Sequence, residues 1–169
     1  IARVTGTVPE LVREGASAPG PVVIVGTIGR SRALDRLIRA PKIDVAPIRE
    51  KWESFLIQVV DQPGPGIDRA LVIAGSDKRG TIYGVYDLSE QIGVSPWYWW
   101  ADVPVKRRSA LYVKPGTYVQ GPPAVKYRGI FLNDEAPALT GWVKEKLGDY
   151  NSKFYTKVFE LILRLKGNY

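Results

Sequence analysis

Cysteine and histidine are both missing from the 169 residues of this chain. Their absence excludes a thiol nucleophile, a disulfide framework, Cys/His zinc sites and a Ser-His-Asp triad within it. Carboxylates, lysine and tyrosine remain as acid–base groups. Methionine is absent too, and the chain begins at Ile1; it is read as a processed product or a piece of a longer protein. No apolar run approaches the roughly 18 residues of a membrane span, and no secretion signal opens the chain.

What is present belongs to a folded protein. Hydrophobic residues make up 45% of the chain and aromatics 11%, too apolar for a disordered segment. The length suffices for one good core, or for one small domain with part of another. A net charge of +7 hints at an acidic partner. Apart from Lys106-Arg107-Arg108 the basic residues are scattered, and no reader motif accompanies them, so nucleic-acid binding is not expected.

Several elements follow from pattern. The apolar run Pro21–Thr27 predicts a strand buried on both faces. Ser31 is an N-cap for a helix over about 32–40, with Leu34, Leu37 and Ile38 on one face and Pro41 beyond its end. Residues 54–60 and 69–74 predict two strands, and Gln62-Pro-Gly-Pro-Gly66 between them predicts an antiparallel hairpin. A helix over about 79–92 is expected to bury Ile82, Val85, Tyr86 and Leu88, with Gly93 just past its end. A further short strand is expected near Ala110–Val113.

Residues 114–126, rich in proline and glycine, read as a linker. Tyr127–Leu132 then predicts a strand, followed by a loop of roughly 18 residues. Asn151 or Ser152 caps an amphipathic helix over about 152–166, whose stripe includes Phe154, Tyr155, Val158, Phe159, Leu161 and Leu165. Gly167-Asn168 ends it. A single βα unit cannot bury itself, so it either completes the first domain or opens a larger one.

Four stretches are candidates for chemistry. Gly26-Thr-Ile-Gly29 leads from strand to helix as a phosphate cradle would, yet it lacks the dinucleotide and P-loop fingerprints. A plain tight turn is the stronger reading, with a nucleotide-binding α/β domain as the weakest alternative for the whole chain. Ser76, Asp77, Lys78 and Arg79 lie where a strand meets a helix start, a place suited to a carboxylate or sugar hydroxyls, or simply to a capped helix with solvated cations. Trp97-Tyr-Trp-Trp100 serves either as a sugar-stacking platform or, more often for so dense a cluster, as a seal of a core or seam. Asn133, Asp134 and Glu135 stand at the expected end of a strand. There they line a ligand site if the strand belongs to a parallel barrel, and form an Asx-turn into Pro137 otherwise.

The stretches KRGTIYGVYDLSEQIGV (78–94), PWYWWADVPV (96–105) and KYRGIFLNDEAPALTGW (126–142) closely resemble glycoside hydrolase family 115, whose members are xylan α-1,2-glucuronosidases. The resemblance runs from about Val22 to Tyr169, and 126–142 is its specific part; the Arg-Gly-x-x-Tyr-Gly element is shared with other hexosaminidase-like and glucuronidase families. It implies a fold of class α/β: a small α+β domain over residues 1–122, then the first βα unit of a truncated (β/α)8 barrel over 123–169. A complete barrel takes about 250 residues, so the chain is expected to be a fragment that is inactive by itself.

The activity implied is release of (4-O-methyl-)glucuronic acid from glucuronoxylan or its oligosaccharides with inversion, using an acid and a base carboxylate and no metal or cofactor. The general acid and base are expected in later barrel strands. Of the residues present, Asn133, Asp134 and Glu135 match as substrate-binding positions, with Asp134 the candidate for an electrostatic or hydrogen-bonding role in catalysis. Ser76, Asp77, Lys78 and Arg79 match a small-domain element expected to reach the barrel mouth, where a cation suits a uronate carboxylate. A polysaccharide substrate implies a secreted or periplasmic enzyme; homodimerisation of the full-length protein is left open. The alternative from another class is a non-catalytic carbohydrate-binding or interaction module, which needs Trp97–Trp100 exposed.

Overall fold

The computed structural model of the protein describes residues 1–12 and 20–169. The described elements run α1 (Ala2–Thr5), β1 (Val22–Thr27), α2 (Arg32–Arg39), β2 (Phe55–Gly64), β3 (Ile67–Gly75), α3 (Lys78–Gln91), β4 (Thr117–Gln120), α4 (Ala138–Leu147) and α5 (Ser152–Arg164). They fall into two units, Ile1–Ala124 and Val125–Tyr169.

The first unit is a mixed α/β domain around a four-stranded sheet of order β1-β3-β2-β4. β1 runs parallel to β3, while β2 is antiparallel to both β3 and β4. The sheet is open, not closed into a barrel. The hairpin is as expected, with longer strands: β2 passes a register irregularity between Asp61 and Gly64 before turning at Pro65-Gly66. Gln62 takes φ +47° and Gly66 φ +72° there, as a bulge and a tight turn require.

One face of the sheet carries the core. Leu34 and Leu37 of α2 pack with Ile43, Val45, Ile48, Leu56 and Val72, and Ile24 of β1 joins them. Ser31 Oγ accepts the Leu34 N–H at 3.3 Å, the expected cap. The expectation that β1 is buried on both faces is corrected, because Val23 and Val25 remain 41% and 44% exposed. β1 is an edge strand with a helix packed on the side that carries Ile24, so alternate side chains face solvent.

α3 also turns a different face inward from the one its apolar residues suggest. Gly80, Tyr83, Gly84 and Asp87 are buried, whereas Val85 is exposed. A Cβ on Gly80 would stand 2.1 Å from the Ser54 carbonyl oxygen, and one on Gly84 would stand 2.6 Å from Ile73 Cγ2. The glycines let the helix backbone sit directly on the sheet, and that close approach outweighs the apolar periodicity. Gly93, φ +104°, follows the helix as expected.

The fourth strand was expected near Ala110–Val113 and lies instead at Thr117–Gln120, inside the stretch read as linker. Thr117–Gln120 finds its partner in Phe55–Gln58 of β2, while Tyr112 is left 93% exposed. Strand identity is conferred by a neighbour, and here the neighbour favours the less apolar segment.

In the second unit, α4 occupies what was expected to be loop. Gly141 interrupts it, which weakens a helical pattern, and no side chain caps its start at Pro137. Asn151 caps α5, its Oδ1 accepting the N–H groups of Lys153 at 2.9 Å and Phe154 at 3.2 Å. Phe154, Val158 and Leu161 are buried with Val143 of α4. Tyr155, Phe159 and Leu165 of the expected stripe are not; Tyr155 and Phe159 stack on each other in the open, ring centroids 6.0 Å apart. One neighbouring helix covers only one side of so wide an apolar stripe. The helix ends at Arg164 in a Schellman arrangement, with Lys166 N–H to Leu163 carbonyl at 3.1 Å and Gly167 N–H to Ile162 carbonyl at 2.7 Å.

Tyr127–Leu132, expected as a strand, is not one in this structure. Its backbone is tied at Arg128, whose N–H donates to Asn168 Oδ1 at 3.0 Å and whose carbonyl accepts the N–H groups of Asn168 and Tyr169 at 2.7 and 3.0 Å. The Arg128 side chain reaches the Lys166 carbonyl at 2.9 Å, past the end of α5. Beyond Gly129 the segment finds no described ladder partner, and Phe131 is 91% exposed.

Candidate functional site

β1 and β3 are parallel, so both end at the same edge of the sheet, with Thr27 opposite Gly75. β2 is antiparallel and starts there, preceded by Trp52-Glu53-Ser54. In a sheet of this kind ligands are bound where parallel strands finish. Ser76, Asp77, Lys78 and Arg79 all lie at this edge, within or just before the first turn of α3.

Their roles differ. Ser76 is matched to Ser54: its N–H donates to the Ser54 carbonyl at 2.9 Å, and its Oγ accepts the Ser54 N–H at 3.0 Å. Asp77 caps α3, with Oδ1 accepting the Gly80 N–H and Oδ2 the Glu53 N–H, each at 2.7 Å. Thr81 Oγ1 adds a bridge, 2.7 Å from Thr27 Oγ1 and 3.0 Å from the Asp77 carbonyl oxygen. Ser76 and Asp77 therefore join the loop to the sheet, and the two cations are what the edge offers to a ligand. Lys78 and Arg79 are both exposed. Arg79 Nη1 lies 3.5 Å from Oε1 of Glu53, a carboxylate only 5% exposed.

The turn at Gly26–Gly29 has its amides already occupied. Ile28 N–H donates to the Gly75 carbonyl at 2.9 Å, Gly29 N–H to Asp35 Oδ1 at 3.0 Å, and Arg30 N–H to the Thr27 carbonyl at 3.0 Å. A Cβ on Gly26 would meet Ser31 Cβ at 2.6 Å, so this glycine admits the start of α2 rather than a phosphate. In the aromatic cluster Trp97 is exposed, while Tyr98, Trp99 and Trp100 are half-buried. Trp99 and Trp100 meet edge to face at 4.8 Å, and the Arg3 guanidinium lies 4.4 Å from the Tyr98 ring centroid.

In the second unit Asn133, Asp134 and Glu135 are all exposed. Glu135 N–H points to Asn133 Oδ1 at 3.4 Å, an Asx-turn in outline. Thr140 Oγ1 donates to the Asp134 carbonyl oxygen, and Tyr150 Oη is 3.1 Å from that hydroxyl, so side chains of α4 and of the turn before α5 hold the segment from below. The Ala136–Pro137 peptide bond is cis. Neither the Asp134 nor the Glu135 carboxylate has a protein partner among the described residues, so each keeps its full accepting capacity for hydroxyl groups. No group of three or more Asp and Glu among the described residues is placed to hold a metal ion. On α4, Lys146 holds the neighbouring Glu145 carboxyl below its ordinary range by hydrogen bond and charge, but both side chains lie on the surface.

Residues 120–169 match the sequence model of glycosyl hydrolase family 115. A solved structure, that of a family GH115 4-O-methyl-α-glucuronidase with specificity for decorated arabinogalactans, is 36% identical and superimposes with a TM-score of 0.72 over 86% of this chain. The chain belongs to glycoside hydrolase family 115. It spans 19% of the length of that solved relative. Among curated proteins nothing matches it.

Within this family 115 chain, the matched stretch holds Asn133, Asp134 and Glu135 together with the helix pair beneath them. Two contributors escaped sequence reasoning. Thr140 sits in a stretch read as loop, and only the helix that carries it brings its hydroxyl back to Asp134. Glu53 precedes a strand with no motif around it, and only the pairing of β2 with β3 sets it beside Arg79.

Proposed function

We propose that the chain is part of a glycoside hydrolase that releases (4-O-methyl-)glucuronic acid from glucuronoxylan with inversion and without a cofactor. The observation that carries this reading is the family 115 match over 120–169 together with the two unpartnered carboxylates within it. In this reading residues 123–169 are the first βα unit of a (β/α)8 barrel, with 127–132 as its first strand. Support comes from the return of the chain after α5: Asn168 and Tyr169 bond the Arg128 carbonyl, where a parallel neighbour of 127–132 would begin.

Asn133 and Glu135 then hydrogen-bond sugar hydroxyls, and Asp134 acts on the reacting sugar by charge or hydrogen bond. The proton donor and the base that activates water lie in later strands of the barrel. In the first unit, taken by itself, Lys78 and Arg79 are cations suited to a uronate carboxylate. A decorated arabinogalactan is the second substrate to consider, since the solved relative has specificity for decorated arabinogalactans. A polymeric substrate places the enzyme outside the cytoplasm, in the medium or the periplasm.

The test is Asp134→Asn in a complete enzyme that carries this segment. Turnover on glucuronoxylan should fall roughly 10²-fold or more, with melting temperature and circular dichroism unchanged. Wild-type turnover would remove Asp134 from the chemistry. The 169-residue chain by itself is expected to release no glucuronic acid.

A further inference from the structure

We propose that Glu53 is a positioning residue, holding the Arg79 guanidinium in a fixed orientation for a uronate carboxylate; this rests on the preceding assignment of Arg79. Three observations converge on it. The Glu53 carboxylate is 5% exposed and lies 3.5 Å from Arg79 Nη1, while the Arg79 side chain is 54% exposed. One nitrogen of the guanidinium thus stands beside a buried carboxylate, while the side chain as a whole stays half exposed. A planar fork with five donors is suited to this division, because one carboxylate can orient it while another is bound.

The backbone around Glu53 is fixed from both sides. The Asp77 carboxylate accepts the N–H of Glu53 itself and the N–H of Gly80, next to Arg79, each at 2.7 Å. Ser54 is locked to Ser76 through two backbone and hydroxyl contacts. The segment that orients and the helix start that is oriented are therefore joined through one carboxylate, that of Asp77, as a fixed binding group needs.

The third observation is conformational. Glu53 has φ +50°, in the left-handed region that a residue with a Cβ enters at a steric cost. A glutamate is held here, in place of the glycine this backbone favours. As a stability device, burying a carboxylate to meet a half-exposed arginine is poor, since desolvation offsets the attraction. As an orienting device it is effective, since Arg79 would otherwise sample many rotamers.

Nuclear magnetic resonance of the 169-residue chain tests this through the Arg79 Nε–H signal. In the wild type that group should be as ordered as the backbone of α3, and it should shift on titration with glucuronate but not with methyl glucoside. Glu53→Gln should release it to fast motion and weaken glucuronate about tenfold. Glu53→Gly separates the two roles of the residue: it relieves the backbone and should melt no lower than wild type, yet it should lose Arg79 order to the same degree. An Arg79 signal that is mobile in the wild type, or still ordered in Glu53→Gly, would overturn the role of Glu53. Order lost in both variants, with no glucuronate response in any protein, would overturn the uronate assignment of Arg79 instead.

Discussion

The two units of the chain differ in what their candidate loops do with acidic side chains. In Ile1–Ala124, Asp77 accepts two backbone N–H groups, Asp35 accepts one from Gly29, and Glu53 is buried beside Arg79. In Val125–Tyr169, Asp134 and Glu135 stand exposed, with no described partner for either carboxylate. The apolar groups differ in the same sense. The first unit closes α2 over one face of its sheet, whereas the second buries Val143, Phe154, Val158 and Leu161 and leaves Tyr155 and Phe159 in solvent. A unit with a full core can enlist its acids as caps and latches. The second unit engages Glu160 through Lys157 and Arg164, so it is at 134 and 135 in particular that acids stay unabsorbed, and unabsorbed acids are what a sugar site requires.

That contrast can be broken by substitution. The largest effect is expected from Phe154→Ala, which removes the biggest buried side chain of the second unit and should cost about 4 kcal/mol. Amide exchange should then show α4 and α5 unprotected while the sheet stays protected; loss of protection in both units together would mean that they fold as one. Gly80→Ala should cost about 2 kcal/mol in the first unit, because the new Cβ meets the backbone oxygen of Ser54 and not a side chain that can move aside. An unchanged melting temperature would show that α3 can shift off the sheet. Smallest, and opposite in sign, is Gly141→Ala in α4, where a Cβ meets nothing within 4 Å. It should stabilise the second unit by about 0.5–1 kcal/mol, measured as a rise in α4 protection, and a fall would place a neighbour against that face.

Much of the first unit was legible. β1, α2, the β2–β3 hairpin and α3 announce themselves through apolar runs, a serine cap and Pro-Gly turn chemistry, all of which act within a few residues. α5 was legible for the same reason, with Asn151 as its cap. β4 was not, because Thr117–Gln120 is an ordinary sequence that becomes a strand only by meeting Phe55–Gln58. α4 was hidden behind Pro137 and Gly141. Tyr127–Leu132 shows the converse: a strong strand pattern yields no strand where no neighbour is at hand.

The candidate site divides along the same line. The acids at 133–135 and the cations at 78 and 79 can be picked out in the sequence, because their residue types and their place beside an apolar run are local facts. Which of them are already engaged cannot be. Asp77 looks as available as Asp134 until its two oxygens are seen to accept the N–H groups of Glu53 and Gly80.

By itself the sequence determined which chemistries are impossible without Cys or His, where helices start, and which segments are apolar enough to fold. Those properties depend on side-chain identity and on hydrogen bonds that span three or four residues. Tertiary structure alone decided that α3 lies on its glycines, that β4 is the fourth strand, and that Glu53 sits against Arg79. Each of these depends on the close approach of residues far apart in the chain, and steric fit at such a contact can override any local preference.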